Sequence, residues 1–264
     1  LLAPIPTLGV SCEGEDNNKG RLNIHTIPCF NKYKPGSSYI DVFNKGTGIL
    51  KWKATPSASW IQVDKTSGTT SYEDRITVSV NWSKAPVGEN VSGYIDIYTV
   101  NNEKETVFIS VFNPEAPSVN DLKGLYVENN GYVSIDATGF HRKHEIGEIK
   151  FDVVEGLGFD NKVVRLGDPF AKTPYLDGLV LTSNYVAPVR GNKFPVLEYD
   201  FYSFQTGPVD VYTYMMPIFP LDNEHGSRYG VMVDNSPVYL PEAGAPYYST
   251  LWIQSVLRNC RINK

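Results

Sequence analysis

The chain has 264 residues, a length that fits one large domain or two ordinary ones. Its net charge of −5 argues against nucleic acid or an anionic membrane surface as a partner, because both require a basic surface. The sequence has no apolar stretch of about 18 residues, which excludes insertion of a membrane-spanning helix. With 17 Tyr and 12 Phe against 3 Met, the composition is typical of a β-protein.

The first half is predicted to form short strands in which apolar and polar residues alternate. The clearest strand, 75–82, places Ile76, Val78 and Val80 on one face. Turns rich in Gly, Asn and Ser separate the strands. We therefore predict an immunoglobulin-like β-sandwich over 31–113, after an extended lead-in at 1–30. The other strands predicted in this half are 39–44, 49–55, 60–64, 93–99 and 105–111.

A linker with two prolines is predicted at 114–124, and strand patterns resume after it. About eight further strands predict a jelly-roll sandwich over 125–264, similar to carbohydrate-binding and galactose-binding modules. Residues 250–259 are predicted to form a short helix. The complete fold class is therefore all-β, with two β-sandwich domains. The strands predicted here are 132–137, 148–154, 161–166, 176–183, two within 193–216, and 228–234.

The segment 193–216 predicts a β-hairpin around a three-residue loop at 205–207, where Gly207 suits the left-handed last position. This register pairs Asp200 with Tyr212 and Glu198 with Tyr214. One face of the hairpin then carries alternating carboxylates and tyrosines: Glu198, Asp200, Tyr202, Asp210, Tyr212 and Tyr214.

This face has three interpretations. The tyrosines can stack on a sugar whose hydroxyls the neighbouring carboxylates accept. Alternatively, the tyrosines form a domain interface or plain surface, since strands favour them anyway. Glu198 and Asp200 also fit an inverting glycosidase, because their expected separation of about 7 Å falls in the range of ~6.5–9.5 Å. A flat sheet face offers no pocket that excludes water, so we predict no catalytic residue here.

Two further features carry possible chemistry. Arg142, within the basic stretch 141–144, can bind a uronate carboxylate through two hydrogen bonds, and a mobile basic loop is the alternative. The cysteines are Cys12, Cys29 and Cys260, an odd number that excludes a fully paired framework. A Cys12–Cys29 bridge and buried free thiols both stay open. No C-x-x-C spacing points to zinc, and no metal ligand is predicted.

Several strings resemble glycoside hydrolase family 115, the xylan α-glucuronidases. "GYVSIDATGFHRK", "VVEGLGFDNKVVRL" and the stretch that begins "PVLEYDFYSFQTG" are similar to the C-terminal domain of that family. "LGVSCEGED" and "RITVSVNWSKAPVG" in the first half look like its linker and immunoglobulin-like domain. The resemblance covers nearly the whole chain in the domain order of the family.

The resemblance implies a function. Family members remove glucuronic acid or its 4-O-methyl ether from xylan with catalytic residues in an N-terminal barrel region, and no part of that region matches here. The chain is therefore expected to be a non-catalytic C-terminal section, secreted or periplasmic, whose partners are the catalytic part, another copy of the chain or glucuronoxylan. An independent xylan-binding module is the alternative. A chain that opens on Leu1 without Met also predicts a processed protein or a piece of a longer one.

The resemblance implies no obligatory cofactor. Related carbohydrate-binding sandwiches hold calcium near their first strand. The matching segment is 134–140, but Thr138 stands where a second acidic residue is needed. Asp160 is the one further carboxylate that can help, so calcium is a secondary expectation.

Overall fold

The structure of the chain is a computed structural model that describes residues 3–15, 24–147, 149–167, 195–218, 229–239, 241, 243–244 and 248–264. Regular structure in these residues is almost entirely β-strand, so the predicted all-β class is confirmed. The chain forms two compact units. The first comprises Leu1–Ser134 with Phe201–Phe204, and the second comprises Ile135–Asp200 with Gln205–Lys264.

The elements of the described residues, in chain order, are β1 (Leu8–Cys12), β2 (His25–Thr26), β3 (Phe30–Asn31), β4 (Ser37–Asn44), β5 (Leu50–Pro56), β6 (Ile61–Val63), β7 (Ser67–Thr70), β8 (Glu73–Val80), β9 (Gly88–Thr99), β10 (Lys104–Asn113), β11 (Tyr126–Val127), β12 (Arg142–His144), β13 (Phe151–Glu155), β14 (Lys162–Leu166), β15 (Val196–Glu198), β16 (Phe201–Tyr202), β17 (Thr213–Met215), α1 (Thr250–Leu257) and β18 (Arg261–Asn263).

Two sheets form most of the first unit. One sheet has the order β1–β4–β8–β6 and is antiparallel throughout. The other has the order β2–β10–β9–β5–β7, and β3 also pairs with β10. In this second sheet β2 and β3 run parallel to β10, whereas the other pairs are antiparallel. Residues of both sheets contribute to one apolar core, as a β-sandwich requires.

Alternation along the strands builds this core. In β8, Ile76, Val78 and Val80 are buried, whereas Arg75 and Thr77 point to solvent. Each buried aliphatic side chain stabilises the fold by roughly 1.5–3 kcal/mol relative to an exposed one. The other fully buried side chains of the core are Ile40, Val42, Leu50, Trp52, Ile95, Ile97, Val107, Ile109 and Val111.

The segment expected to be an extended lead-in contributes strands to the sandwich. β1 pairs with β4 from Leu8 opposite Asn44 to Cys12 opposite Ile40. Leu8, Val10 and Cys12 are all buried, so the alternation of apolar residues begins well before residue 31.

A short piece of the second half of the chain packs within the first unit. β16 pairs in parallel with β11. Just beyond β11, the buried carboxylate of Glu128 accepts hydrogen bonds from Ser203 Oγ at 2.7 Å and from the Phe204 N–H at 2.8 Å. The Phe204 ring lies 5.1 Å from that of Tyr33 and 4.8 Å from that of Phe112, between ring centroids. These contacts explain why Phe201–Phe204 belongs to the first unit.

In its described residues, the second unit contains three antiparallel strand pairs, β12–β15, β13–β14 and β17–β18. The strands predicted at 148–154 and 161–166 correspond to β13 and β14, and the predicted helix corresponds to α1. The Ser249 side chain caps this helix by accepting a hydrogen bond from the Trp252 N–H at 3.1 Å.

Two other strands predicted in the second half of the chain are not found among the described strands. The strand predicted at 132–137 is wrong, because within it only Tyr132 forms a β-bridge, to Asn129 across the turn at Asn130 and Gly131, and no strand follows before β12. The strand predicted at 176–183 lies outside the described residues.

The hairpin predicted within 193–216 is also wrong. β15 pairs with β12, and β17 pairs with β18, so Glu198 does not pair with Tyr214 and Asp200 does not pair with Tyr212. Gly207 does adopt a positive φ of 131°. Sequence alternation indicates which residues share a face, but it does not determine which strand becomes the neighbour.

All three cysteines are free thiols, so the structure contains no Cys12–Cys29 bridge. Cys12 is buried, whereas Cys29 and Cys260 are partly exposed. In the described part of the chain, no helix has the length and apolar character needed to cross a membrane.

Candidate functional site

Arg142 joins the two carboxylates that the sequence singles out. The antiparallel pairing of β12 with β15 places Arg142 opposite Glu198. The Nε of Arg142 donates to Glu198 Oε2 at 2.5 Å, while Nη1 and Nη2 donate to the two Asp200 oxygens at 2.6 Å each. The guanidinium group thus already holds a carboxylate in the two-hydrogen-bond geometry expected for a uronate.

Two histidines border this ion cluster. His144 Nε2 lies 3.4 Å from Glu198 Oε1. His141 Nδ1 accepts a hydrogen bond from the Asp200 N–H at 2.9 Å, and the His141 N–H donates to the Glu198 carbonyl at 2.8 Å. These backbone contacts hold Asp200 beside β12, although it lies beyond the end of β15.

The electrostatics of the cluster do not suit acid–base catalysis. The hydrogen bond from Arg142 lowers the pKa of Asp200, and the hydrogen bonds to Asp200 and Glu198 raise the pKa of Arg142. A general acid near neutral pH needs a raised pKa, the opposite of what Asp200 has. Arg142 is also half exposed and lies in a strand, not in the mobile loop considered as an alternative. The cluster is an ion-paired surface.

The lowered pKa of Asp200 predicts that the stability of the fold depends on pH. Because its folded-state pKa lies below the ordinary 3.8, Asp200 contributes stability that is present above that value and is lost as the pH falls through the folded-state pKa. In Arg142→Gln, NMR titration of the Asp200 carboxyl should show a pKa close to 3.8, and the corresponding loss of stability in acid should disappear.

Arg165→Gln is the matched control, because Arg165 forms a single hydrogen bond of 2.9 Å with Asp152 on a different strand pair. This control should leave the Asp200 titration unchanged. An Asp200 pKa that does not move in Arg142→Gln would contradict the assignment of Arg142 as the cause.

Tyr202 and the predicted site residues Arg142, Glu198 and Asp200 fall into different units of the chain. The Tyr202 ring packs edge-on to Phe204 at 5.0 Å and belongs to the first unit, whereas Arg142, Glu198 and Asp200 belong to the second. The alternating face of carboxylates and tyrosines depended on the hairpin, so that arrangement is wrong.

Tyr212 and Tyr214 instead lie on the strand pair formed by β17 and β18. Tyr214 is 70% exposed and stands opposite Ile262, which is 44% exposed. Tyr212 is 50% exposed, and its ring lies 5.6 Å from Lys264 Nζ. We call these residues, with Asp210, the C-terminal aromatic surface: Asp210, Tyr212, Tyr214, Ile262 and Lys264.

Polar contacts anchor this surface on both sides. At its edge, Lys264 Nζ lies 2.9 Å from Asp210 Oδ2, and this hydrogen bond raises the pKa of Lys264. On the opposite side of the strands, Asn263 Nδ2 donates to the Tyr229 hydroxyl at 2.9 Å, and Thr213 Oγ1 also hydrogen-bonds that hydroxyl. The strand pair therefore presents its aromatic and aliphatic side chains outward on a fixed backbone.

Sequence reasoning missed Ile262 and Lys264 as neighbours of the tyrosines. The available signal was the alternation in "RINK" after the helix, which resembles a short strand. Its partner was not predictable from local sequence, because β17 and β18 lie far apart in the chain.

The segment expected to bind calcium uses its carboxylate locally. Asp136 accepts hydrogen bonds from the Thr138 N–H and the Thr138 hydroxyl, both at 2.8 Å, in an Asx-type turn. Asp160 is exposed in the turn between β13 and β14. Calcium therefore stays a prediction from resemblance.

The two sheets of the first unit over one apolar core, with the strand pairs of the second unit, define the chain as an all-β sandwich protein. The C-terminal domain model of glycosyl hydrolase family 115 matches residues 125–264, and the chain belongs to that family. The resemblance inferred from the sequence is thereby confirmed. A second model, described as a viral BACON domain, matches residues 30–111.

Comparison with curated proteins finds no match. Among solved structures, PapD-like domain 7 of human CEP192 is 13% identical, with 44% of this chain and 95% of that chain covered and a TM-score of 0.29. A Bacteroides ovatus GH5 xyloglucanase in complex with a XXXG heptasaccharide is 11% identical, with 50% and 24% covered and a TM-score of 0.30. The E. coli chaperone DraB is 9% identical, with 48% and 66% covered and a TM-score of 0.31. Likenesses at these TM-scores carry no functional argument.

Proposed function

We propose that this chain is the non-catalytic C-terminal section of a xylan α-1,2-glucuronidase and that it braces the catalytic part through the C-terminal aromatic surface. Membership of family 115 supports the parent activity. Because xylan is extracellular, the proposed enzyme acts outside the cell or in the periplasm.

The exposure of Tyr214 carries the proposal for docking. Tyr214 leaves 70% of its surface in solvent, beside the exposed Ile262 and Tyr212. A rigid aromatic side chain contributes large contact area at a low entropic cost, and such residues commonly dominate the energy of protein interfaces. The flanking pair of Asp210 and Lys264 supplies a polar rim of the kind that surrounds an apolar interface centre.

Association between the two parts of the enzyme tests this proposal. A family 115 catalytic part produced separately should bind this chain in calorimetry, and Tyr214→Ala should weaken the complex by about tenfold or more, as expected for an interface anchor. Tyr72→Ala is the matched control, because Tyr72 is 84% exposed but lies in the first unit. Equal affinities of the Tyr214→Ala and Tyr72→Ala variants would contradict the proposed surface.

A second function uses the same surface to bind glucuronoxylan. The observation that favours it is the combination of two exposed tyrosines with a lysine, since aromatic rings stack on pyranose faces and an ammonium group attracts a uronate. The isolated chain should then release heat on mixing with glucuronoxylan fragments, and Tyr212→Ala should abolish the signal. Absence of heat from the unmodified chain would reject this alternative and leave the docking role.

A further inference from the structure

Cys12, Glu15 and His25 bring three different metal-binding groups together next to the end of β1. One ligand atom from each residue lies within 4.8 Å of the other two. In the residues that the structure describes, this is the one place where three or more Cys, His, Asp or Glu side chains meet in this way. We propose that these three side chains bind a zinc ion.

The fold brings these residues together from separate positions. Cys12 ends β1, and its N–H donates to Glu15 Oε2 at 3.0 Å. His25 begins β2 and is held beside Val107 of β10 by parallel pairing. The Glu15 carboxylate faces the His25 ring, with Nδ1 at 2.9 Å and 3.1 Å from its two oxygens. Backbone pairing and hydrogen bonds thus prearrange the three groups.

The donor set matches zinc. Zinc accepts thiolate, imidazole and carboxylate ligands in a tetrahedron, and sites with three protein ligands complete it with water. With Zn–S near ~2.3 Å and Zn–N or Zn–O near ~2.0 Å, neighbouring ligand atoms lie roughly 3.3–3.6 Å apart. Small side-chain rotations bring atoms that are now within 4.8 Å to these separations. Calcium and magnesium prefer oxygen ligands only and are disfavoured by the sulfur.

Burial and charge also favour a cation here. Cys12 is 5% exposed and His25 is 8% exposed, so the site is shielded from water. Two carboxylates also lie beside the His25 ring, Glu15 at 2.9 Å from Nδ1 and Glu105 at 3.7 Å from Nε2. Their negative charge favours a bound cation, and the Cys12 thiol loses its proton to solvent as the Zn–S bond forms.

Glu105 of β10 supplies an orienting group. Its Oε2 lies 3.7 Å from His25 Nε2, on the ring edge away from Glu15. With zinc on Nδ1, the Nε2–H is directed toward Glu105, as in the carboxylate–histidine–zinc arrangement of many metal sites. Without a metal, the same geometry places the His25 ring between the carboxylates of Glu15 and Glu105, and the experiment distinguishes this arrangement from a zinc site.

The test is metal binding by the whole chain after treatment with a chelator. Titration with zinc should show one bound ion per chain and a melting temperature higher by several degrees. Cobalt as a spectroscopic substitute should give the near-ultraviolet band of a thiolate–cobalt bond. Cys12→Ser should lose that band, whereas Cys29→Ser, which removes a free thiol outside the cluster, should keep it.

Further variants separate ligands from the orienting group. His25→Gln and Glu15→Gln should abolish or strongly weaken zinc binding, and Glu105→Gln should lower the affinity by about 10–100-fold. His144→Gln is the control histidine, because His144 is exposed in the second unit. No zinc bound to the unmodified chain, or cobalt binding without a thiolate band, would overturn the proposal. Both results are measured on the unmodified chain and do not depend on the folding of any variant.

Discussion

Replacing Ile76 by alanine should lower the free energy of unfolding of the first unit by about 2–5 kcal/mol, the range for truncating a buried isoleucine. Ile76 has no exposed surface and lies in β8, which pairs with both β4 and β6. Truncation removes packing atoms between the sheets and leaves a cavity that rigid neighbouring strands fill only in part.

Denaturant unfolding followed by tryptophan fluorescence measures this effect, because Trp52 and Trp60 are buried in the same core. Thr77→Ala is the matched control, since Thr77 is the exposed neighbour of Ile76 on the same strand. The control should change stability by no more than about 0.5 kcal/mol, as for most surface positions. Similar losses in both variants would contradict the predicted inward and outward faces of β8.

Features of this fold were predictable from the sequence where they depend on residues close together in the chain, and not where they depend on distant ones. The inward face of β8 follows from local alternation, because a period of two residues matches the pleat of a strand. The Asn130–Gly131 turn also has a local signal, but the apolar pattern that follows it suggested a strand. The partner of β17 had no local signal, because β18 lies far away in the sequence.

In the candidate sites, too, local relations between residues were predictable and long-range ones were not. Glu198 and Asp200 were correctly singled out as neighbouring carboxylates, since residues two apart in an extended chain share a side. Arg142 had two interpretations, a uronate ligand or a mobile basic loop, and neither predicted the cross-strand pairing that directs it to these carboxylates. Cys12 and His25 meet because β1 and β2 contact each other in the fold. Their spacing in the sequence matches no rule for metal ligands.

Replacing Glu128 by alanine should destabilise the packing of Phe201–Phe204 in the first unit by about 3–6 kcal/mol, the sum for two hydrogen bonds to a charged acceptor. Glu128 is buried, and its carboxylate accepts hydrogen bonds from Ser203 Oγ and from the Phe204 N–H. Hydrogen bonds to a charged group contribute about 1.5–3 kcal/mol each, and truncation leaves both donors without this acceptor. Loss of this anchor also loosens the Phe204 ring from Tyr33 and Phe112.

Amide hydrogen exchange of Phe204 measures this release directly, because its N–H is the donor to Glu128. Exchange should accelerate strongly in Glu128→Ala and by a smaller factor in Ser203→Ala, which removes one of the two contacts. Glu115→Ala, at an exposed position of the same unit, should leave the exchange rate unchanged. Unchanged protection of Phe204 in Glu128→Ala would mean that aromatic packing alone holds the segment. It would then be wrong that the Glu128 carboxylate holds the backbone of this segment while the aromatic rings pack beside it.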